Sequence, residues 1–274
     1  MTEPLVSICI PTFNGNRFIA KTIESALAQT YANIEIVVSD QFSTDGTLDT
    51  IRSYSDQRIR IVKPFTVVRA ADNWNSALNN AKGDYVKILC QDDLIKSNCI
   101  ATEVAALQSN PKASFCFSPR DVISPFGRKI LNARGLKIDT DELIFPENLS
   151  VLLRSGTNIF GEPCAVLMRA TSLRQVGPFR GSYLIDLSMW LELWKVGSAL
   201  SIDEALSQFR VSRTSWTSQL KNEQHQQVRN FFNEICQTYS NLCDPLDLST
   251  GLKRSKRLEQ NRGRLMRIVD LIRY

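Results

Sequence analysis

The stretch Asp84-Tyr85-Val86-Lys87-Ile88-Leu89-Cys90-Gln91-Asp92-Asp93 decides how this chain is read. Its apolar and β-branched residues, broken only by Lys87, predict a buried strand from Asp84 to Leu89. Two adjacent carboxylates then stand where that strand leaves its sheet. In open α/β sheets, ligands bind beyond the carboxyl ends of the strands. Neighbouring aspartates repel each other and cost stability unless a cation or a ligand neutralises them. An oxygen-only pair suits a hard divalent ion, Mg2+ or Mn2+, with phosphate oxygens completing its shell. An isolated Asp-Asp also makes a turn or a helix cap, so the metal reading depends on what surrounds it.

Outward from this strand, the first 118 residues alternate between two periodicities. Period-two apolar runs predict strands from Leu5 to Ile10, Ile34 to Ser39, Arg58 to Val62 and Ala113 to Phe117. Helical spacing predicts helices from Phe18 to Ala28, Thr47 to Tyr54, Asp72 to Ala81 and Asn98 to Leu107. Such alternation implies an α/β fold with a doubly wound, mostly parallel sheet and helices on both faces. The second half is less regular. Phe126-Gly127-Arg128 reads as a turn between two short strands. Short helices are predicted from Pro146 to Leu153 and Thr171 to Val176, and a longer one from Leu187 to Val196. From about Asn222 the chain is helical and polar, with Gly251 as a break before a last basic helix. The division is a main domain over 1–220 and a helical, basic extension over 221–274.

With 274 residues and 43% apolar content, the chain can bury one large core. No uninterrupted run of ~18 apolar residues occurs, so no transmembrane helix is expected. Met1-Thr2-Glu3-Pro4 lacks the basic and apolar regions of a signal peptide. The seven cysteines show no Cys-x-x-Cys spacing and read as reduced core residues of a cytosolic protein. His225 is the only histidine, which works against His-based triads and His-rich metal sites. Its polar neighbours, Glu223 to Gln227, predict a solvated helix residue. The net charge of +5 is concentrated at one end: Leu252 to Tyr274 holds eight basic and two acidic residues. The rest is close to neutral, which argues against a nucleic-acid partner.

Four loops carry unusual polar groups: Pro11-Thr12-Phe13-Asn14-Gly15-Asn16, Ser39-Asp40-Gln41-Phe42-Ser43-Thr44-Asp45-Gly46-Thr47, the Asp72-Asn73-Trp74-Asn75 helix and Gln91-Asp92-Asp93. In a parallel sheet the strand exits share one edge, so these groups should converge. No Gly-x-Gly-x-x-Gly follows the first strand, and no P-loop is present, which argues against a dinucleotide dehydrogenase and a P-loop NTPase.

These motifs resemble those of the inverting family 2 glycosyltransferases of the GT-A fold. Pro11-Thr12-Phe13-Asn14 stands where that family has Pro-Thr-Tyr-Asn, and Asp40 to Thr47 matches Asp-x-x-Ser-Thr-Asp-Gly-Thr. Asn73 to Ala77, Ala81 to Tyr85 and Gln91-Asp92-Asp93 match the Asn-rich helix, the Ala-x-Gly-Asp/Glu-Tyr turn and the Asp-x-Asp-type metal motif. The resemblance runs over about residues 4 to 215 and is strongest before residue 110. It implies that Asp40 accepts the imide N–H of uracil or thymine, with an Asx turn as the other reading. It implies that Pro11, Thr12 and Asn14 line the nucleoside, the polar pair also suiting turn caps. Arg69 falls where some relatives place an arginine near the base, and a solvated surface arginine fits equally. Asp45 is read as a brace and cap for the helix starting at Thr47, and Asn73 and Asn75 as amides that hold loops.

In the metal motif, Asp92 matches the aspartate near ribose or metal, and Asp93 the one bound to the cation, Mn2+ or Mg2+. Many relatives have a further aspartate where this chain has Cys90. The family's general base matches Asp186, in Leu184-Ile185-Asp186-Leu187, with a helix N-cap as the alternative. An aspartate in apolar surroundings has the raised pKa that proton abstraction requires. The glutamate that often precedes this base is Ile185 here. Gly161-Glu162-Pro163 resembles a turn of polysaccharide-building relatives, where Glu162 touches the acceptor or braces the turn. The processive mark Gln-x-x-Arg-Trp is absent, and Arg213-Thr214-Ser215-Trp216 is not equivalent to it.

The implied activity is transfer of one sugar from a UDP- or dTDP-sugar to a saccharide acceptor, lipid-linked in bacterial envelope polysaccharide synthesis. Leu265, Ile268, Val269 and Ile272 form an apolar stripe, with Arg264 and Arg267 off it. That helix reads equally as lying on an anionic inner leaflet or as packed on the domain or a second subunit, with a loosely held tail as a lesser third reading. Two other classes remain. A sugar nucleotidyltransferase would need a Gly-rich, basic first loop, and this one has a single glycine. A non-catalytic scaffold of the same fold would tolerate loss of Asp92, Asp93 or Asp186, and all three are present.

Overall fold

Runs of valine and isoleucine with no charged face make β1 (Val6–Thr12) and β2 (Ile34–Asp40) central strands, and every residue of β1 is buried. The computed structural model describes residues 3–64, 66, 69–135, 140–181, 184–212 and 223–271, with side chains described through residue 261. Between and after these strands run α1 (Ile19–Leu27), α2 (Thr47–Arg52), β3 (Ile59–Val62), α3 (Ala70–Leu78), β4 (Tyr85–Ile88), β5 (Leu94–Ile95) and α4 (Cys99–Ser109). The second half comprises β6 (Ala113–Phe117), β7 (Arg120–Ile123), β8 (Lys129–Arg134), β9 (Glu142–Leu143), α5 (Leu149–Ser155), β10 (Val166–Arg169), α6 (Ala170–Val176), α7 (Ile185–Val196), β11 (Ser198–Ser201) and β12 (Ser207–Arg210). Two further helices, Gln224–Thr238 and Pro245–Leu271, close the described chain.

The main sheet has eight strands in the order β3-β2-β1-β4-β10-β6-β11-β9. β1, β2, β3 and β4 pair in parallel, as do β6 and β11. β10 enters from the second half of the chain and pairs antiparallel to both β4 and β6. Strand alternation feeds two apolar layers. Val6, Ile8 and Ile10 join Ile19 and Ile23 of α1 and Val104 of α4 on one face. Cys9, Val86 and Ile88 join Trp190 and Trp194 of α7 on the other. The predicted GT-A architecture is therefore present, with helices on both faces and helices after the sheet. A smaller sheet, β5-β12-β7-β8, stands beside it.

Two expectations need correction. The last helix runs unbroken through Gly251. That glycine marks a close approach: an added Cβ would collide with the carbonyl oxygen of Leu153 at the end of α5. Gly156, left-handed at φ +69 where α5 ends, abuts Gly251 in return. His225 is not simply solvated; it is half-buried, and its backbone N–H donates to Glu259 of the final helix at 3.0 Å. The final helix packs on α5 and on Gln224–Thr238 along its described part. The side chains of Arg264, Leu265, Arg267, Ile268, Val269 and Ile272 lie outside the described residues, as do Arg213 to Trp216. Among the described residues, no helix is long and apolar enough to cross a membrane.

Candidate active site

The strand order reverses between β1 and β4, and the crevice beyond their carboxyl ends is where an α/β sheet takes a ligand. Gln91 ties the two exits together. Its Oε1 accepts from Thr12 Oγ1 at 2.5 Å and from the Phe13 N–H at 2.8 Å, and its Nε2 donates to the Phe13 carbonyl. Asn14, at φ +48, accepts the Thr44 N–H at 2.9 Å and so joins the first loop to the second. Asp45 braces that second loop as read from sequence, accepting from the Asn16 and Thr47 N–H groups. Asn73 donates to the Thr12 carbonyl, and Asn75 clamps both backbone groups of Phe179 from α3. Asp40 is fully buried; one oxygen accepts the Ser43 N–H at 3.2 Å, while Oδ1 is shielded with no hydrogen-bond partner. Arg69 is exposed at the rim and pairs with Asp72.

These loops frame a cleft of about 900 Å³ that Pro11, Thr12, Asn14, Arg69, Asp92, Asp93, Glu162 and Asp186 all help line. The two aspartates are not equivalent. Asp92 is half-buried, whereas Asp93 is 1% exposed and spends Oδ1 on the Arg210 backbone N–H at 2.9 Å. Arg210 continues the lock, donating from Nε to the Asp92 carbonyl and from Nη1 to the Ser124 carbonyl. Burial pushes both carboxyls above their usual range, and for Asp93 the charge of Asp92 adds to it. Two crowded, desolvated carboxylates at a cleft suit a hard divalent cation, which takes one or two protein carboxylates and fills its shell with substrate phosphates. Asp92 is the more open donor; Asp93 stands behind it with one oxygen already committed.

Across the cleft, Asp186 sits in the first turn of α7, whose apolar face carries Leu187, Trp190 and Trp194 into the core. Its Oδ1 accepts the Leu187 N–H at 2.8 Å and its Oδ2 accepts from Asn158 Nδ2 at 3.0 Å. Burial pushes its carboxyl up to about 6, and the charge of Glu162 adds to the rise against those two hydrogen bonds. Glu162 itself is ion-paired with Arg120. Although burial opposes ionisation there, Arg120 and Arg134 hold its carboxyl at about 2. Glu162 is thus held by Arg120 and also faces the cleft. The helices after residue 223 complete the wall through Gln227, Val228, Ser255 and Glu259.

Over residues 7–177 the chain matches glycosyl transferase family 2. It belongs to that family. Among curated relatives is the Escherichia coli UDP-Glc:alpha-D-GlcNAc-diphosphoundecaprenol beta-1,3-glucosyltransferase WfgD, 27% identical over 222 residues, which cover 80% of this chain and 81% of the relative. Staphylococcus aureus TarS, solved in complex with UDP-GlcNAc, superposes with a TM-score of 0.66 at 17% identity, over 85% of this chain and 67% of that one. The Pyrobaculum calidifontis mannosyltransferase PcManGT, solved with GDP-Man and Mn2+, superposes at 0.63 with 19% identity, over 93% of this chain and 74% of that one. At those identities the structures speak for the fold alone.

For this family 2 glycosyltransferase, sequence reading missed the residues that hold the carboxylates in place. Asn158, Arg120, Arg134 and Arg210 are scattered over some 90 positions and belong to no local motif. The available signal was indirect. Arginines inside short apolar strands, as in Arg120-Asp121-Val122-Ile123 and Gln208-Phe209-Arg210, need buried partners.

Proposed function

We propose that the cleft transfers one sugar, with inversion and with a divalent cation, from a UDP- or dTDP-sugar to a hydroxyl of a lipid-linked saccharide. The observation that carries this reading is Asp186: a carboxyl held at about 6 by burial, oriented by Asn158, on the same cleft as Asp92. A general base works best with a pKa near the working pH. Asp186 takes the proton of the acceptor hydroxyl as its oxygen attacks the anomeric carbon. The attack comes from the face opposite the departing nucleoside diphosphate, so configuration inverts and no covalent sugar–enzyme bond forms. On the donor side, Asp40, buried behind the Thr12 and Asn14 loop rather than lining the cleft, would offer its unpartnered Oδ1 to the imide N–H of the base. Pro11 shapes the same loop, and Arg69 is placed at the rim. Asp92, with Asp93 behind it, holds the Mg2+ or Mn2+. The ion supplies positive charge against the leaving diphosphate. The lipid-linked acceptor is carried over from WfgD, whose acceptor is a diphosphoundecaprenol-linked sugar, and with such an acceptor the enzyme would work at a membrane surface.

Calorimetric titration of UDP, dTDP, GDP and ADP, each with and without Mn2+, tests this reading. Metal-dependent binding of UDP or dTDP is the expected result. Folded protein that binds none of the four would instead make the chain a scaffold of the same fold.

A further inference from the structure

Beside the cleft lies a second cavity of about 360 Å³, and Arg120, Arg134, Arg254 and Arg257 line it, with no acidic residue among the described residues of its lining. It shares Arg120, Arg134 and Asn158 with the cleft. Asn158 is the residue that hydrogen-bonds Asp186, so the cavity begins one side chain away from the proposed base. The arginines arrive from separate elements. Arg120 and Arg134 face each other across the β7–β8 pair, while Arg254 and Arg257 are one turn apart on the last helix. Their charges are poorly balanced. Glu162 is ion-paired with Arg120 and its charge also reaches Arg134, while among the described residues Arg254 donates to the Arg154 carbonyl at 3.0 Å, which brings no counter-charge. Burial and the neighbouring Arg120 lower the pKa of Arg134 against the opposing charge of Glu162, and an anion in the cavity would act in the same direction as Glu162. Four guanidiniums converging on a concave site are the arrangement that binds phosphate oxygens, in paired and charge-assisted hydrogen bonds.

The position decides which phosphate. The donor's phosphates belong beyond β1 and β4 at Asp92. This cavity meets the cleft at Asn158, which holds Asp186, the base proposed to take the acceptor's proton. We infer that the arginine cavity binds the phosphate or diphosphate carried on the anomeric oxygen of the acceptor sugar, so that the sugar's own hydroxyl reaches Asp186. The inference rests on the proposed transferase reading. It narrows the acceptor class to sugar-1-phosphates and sugar-1-diphosphates, the lipid being attached beyond the anion.

The test is calorimetric, on the full chain with saturating UDP and Mn2+ so that the donor site is filled. The probes are octyl N-acetylglucosaminyl diphosphate and octyl N-acetylglucosaminide, which differ only in the diphosphate. The wild-type protein should bind the first more tightly by about 10-fold or more, the scale of a charge-assisted hydrogen bond. In R254Q/R257Q, which changes two exposed helix positions, that preference should shrink several-fold. Equal affinity for both probes in the wild type overturns the inference, as does an undiminished preference in the variant. Phosphatidylglycerol and phosphatidylcholine vesicles separate the remaining source. A variant that loses only phosphatidylglycerol binding and keeps its probe preference assigns these arginines to the membrane instead. If UDP fails to bind, the same probe pair without nucleotide still reads the cavity, and the transferase reading fails by itself.

Discussion

Asp186 makes its strongest claim through pH. A base with a carboxyl near 6 accepts a proton only when ionised, so kcat/KM should fall on the acid side with a midpoint near pH 6. Replacing Glu162 by Gln removes a negative charge that raises Asp186, so the acid limb should move to lower pH. The same change leaves Arg120 buried without its partner and should also lower stability. A limb that stays in place would mean that another group is the base. D186N should lose transfer by about 10²–10⁴-fold, the usual worth of general base catalysis, while keeping metal-dependent UDP binding. The paired aspartates should separate as well. D92N is expected to lose that metal-dependent binding with little change in Tm, since Asp92 is the more open of the two. D93A removes the oxygen that accepts the buried Arg210 N–H and should lower Tm too. Equal thermal effects would contradict this division. The Asp-Asp pair was legible because adjacent carboxylates after an apolar run are rare in a core. Their inequality was not, because it is set by an arginine 117 positions further on.

Between elements, two contacts show where local pattern stops being informative. Lys87 lies in the middle of β4 and is fully buried, with Nζ at 2.7 and 3.0 Å from the two carboxylate oxygens of Glu103 on α4 and 3.1 Å from the Val166 carbonyl. The apolar run around Lys87 gave the strand correctly, but no periodicity announces an ion pair across strand and helix. Removing one partner leaves an uncompensated buried charge. K87M should therefore cost about 3–5 kcal/mol, and K87M/E103L much less than the sum of the single changes. Thermal or urea unfolding of the three variants measures this. Gly251 is the second case. Within an exposed helix, glycine to alanine gains about 1 kcal/mol. Here the added methyl meets the Leu153 carbonyl, which is backbone and cannot swing away. Overpacking of that kind costs about 1–3 kcal/mol, so G251A should lower Tm despite its better helix propensity. A rise would show that α5 and the final helix do not meet as closely as described. From sequence the glycine looked like a helix break, because flexibility and close packing leave the same mark in one chain.

At the scale of the molecule, the mostly parallel pairing of β1, β2, β3 and β4 followed from strand–helix alternation. The insertion of β10 between β4 and β6 did not, because antiparallel pairing at a distance leaves no periodic trace. The same limit applies to the division at residue 220. Composition changes there, yet Val228, Phe232 and Ile235 are buried in one apolar cluster with Trp190 and Trp194. Burying each such side chain is worth about 1.5–3 kcal/mol. Three of them approach the whole net stability of a typical domain, about 5–15 kcal/mol. The polar helices also supply Gln227, Ser255 and Glu259 to the cleft wall and Arg254 and Arg257 to the arginine cavity. We therefore treat the last fifty residues as part of the same folding unit. Scanning calorimetry should give one cooperative transition for the whole chain, moved upward as a single peak by UDP with Mn2+, because a ligand stabilises everything that unfolds together with its site. Two peaks, with only the later one responding to nucleotide, would instead make the C-terminal helices a separable appendage. In that event a chain ending at residue 222 should fold and bind UDP with its usual affinity. With one unit, the same truncation exposes the Phe232 site and should aggregate or melt well below the full chain.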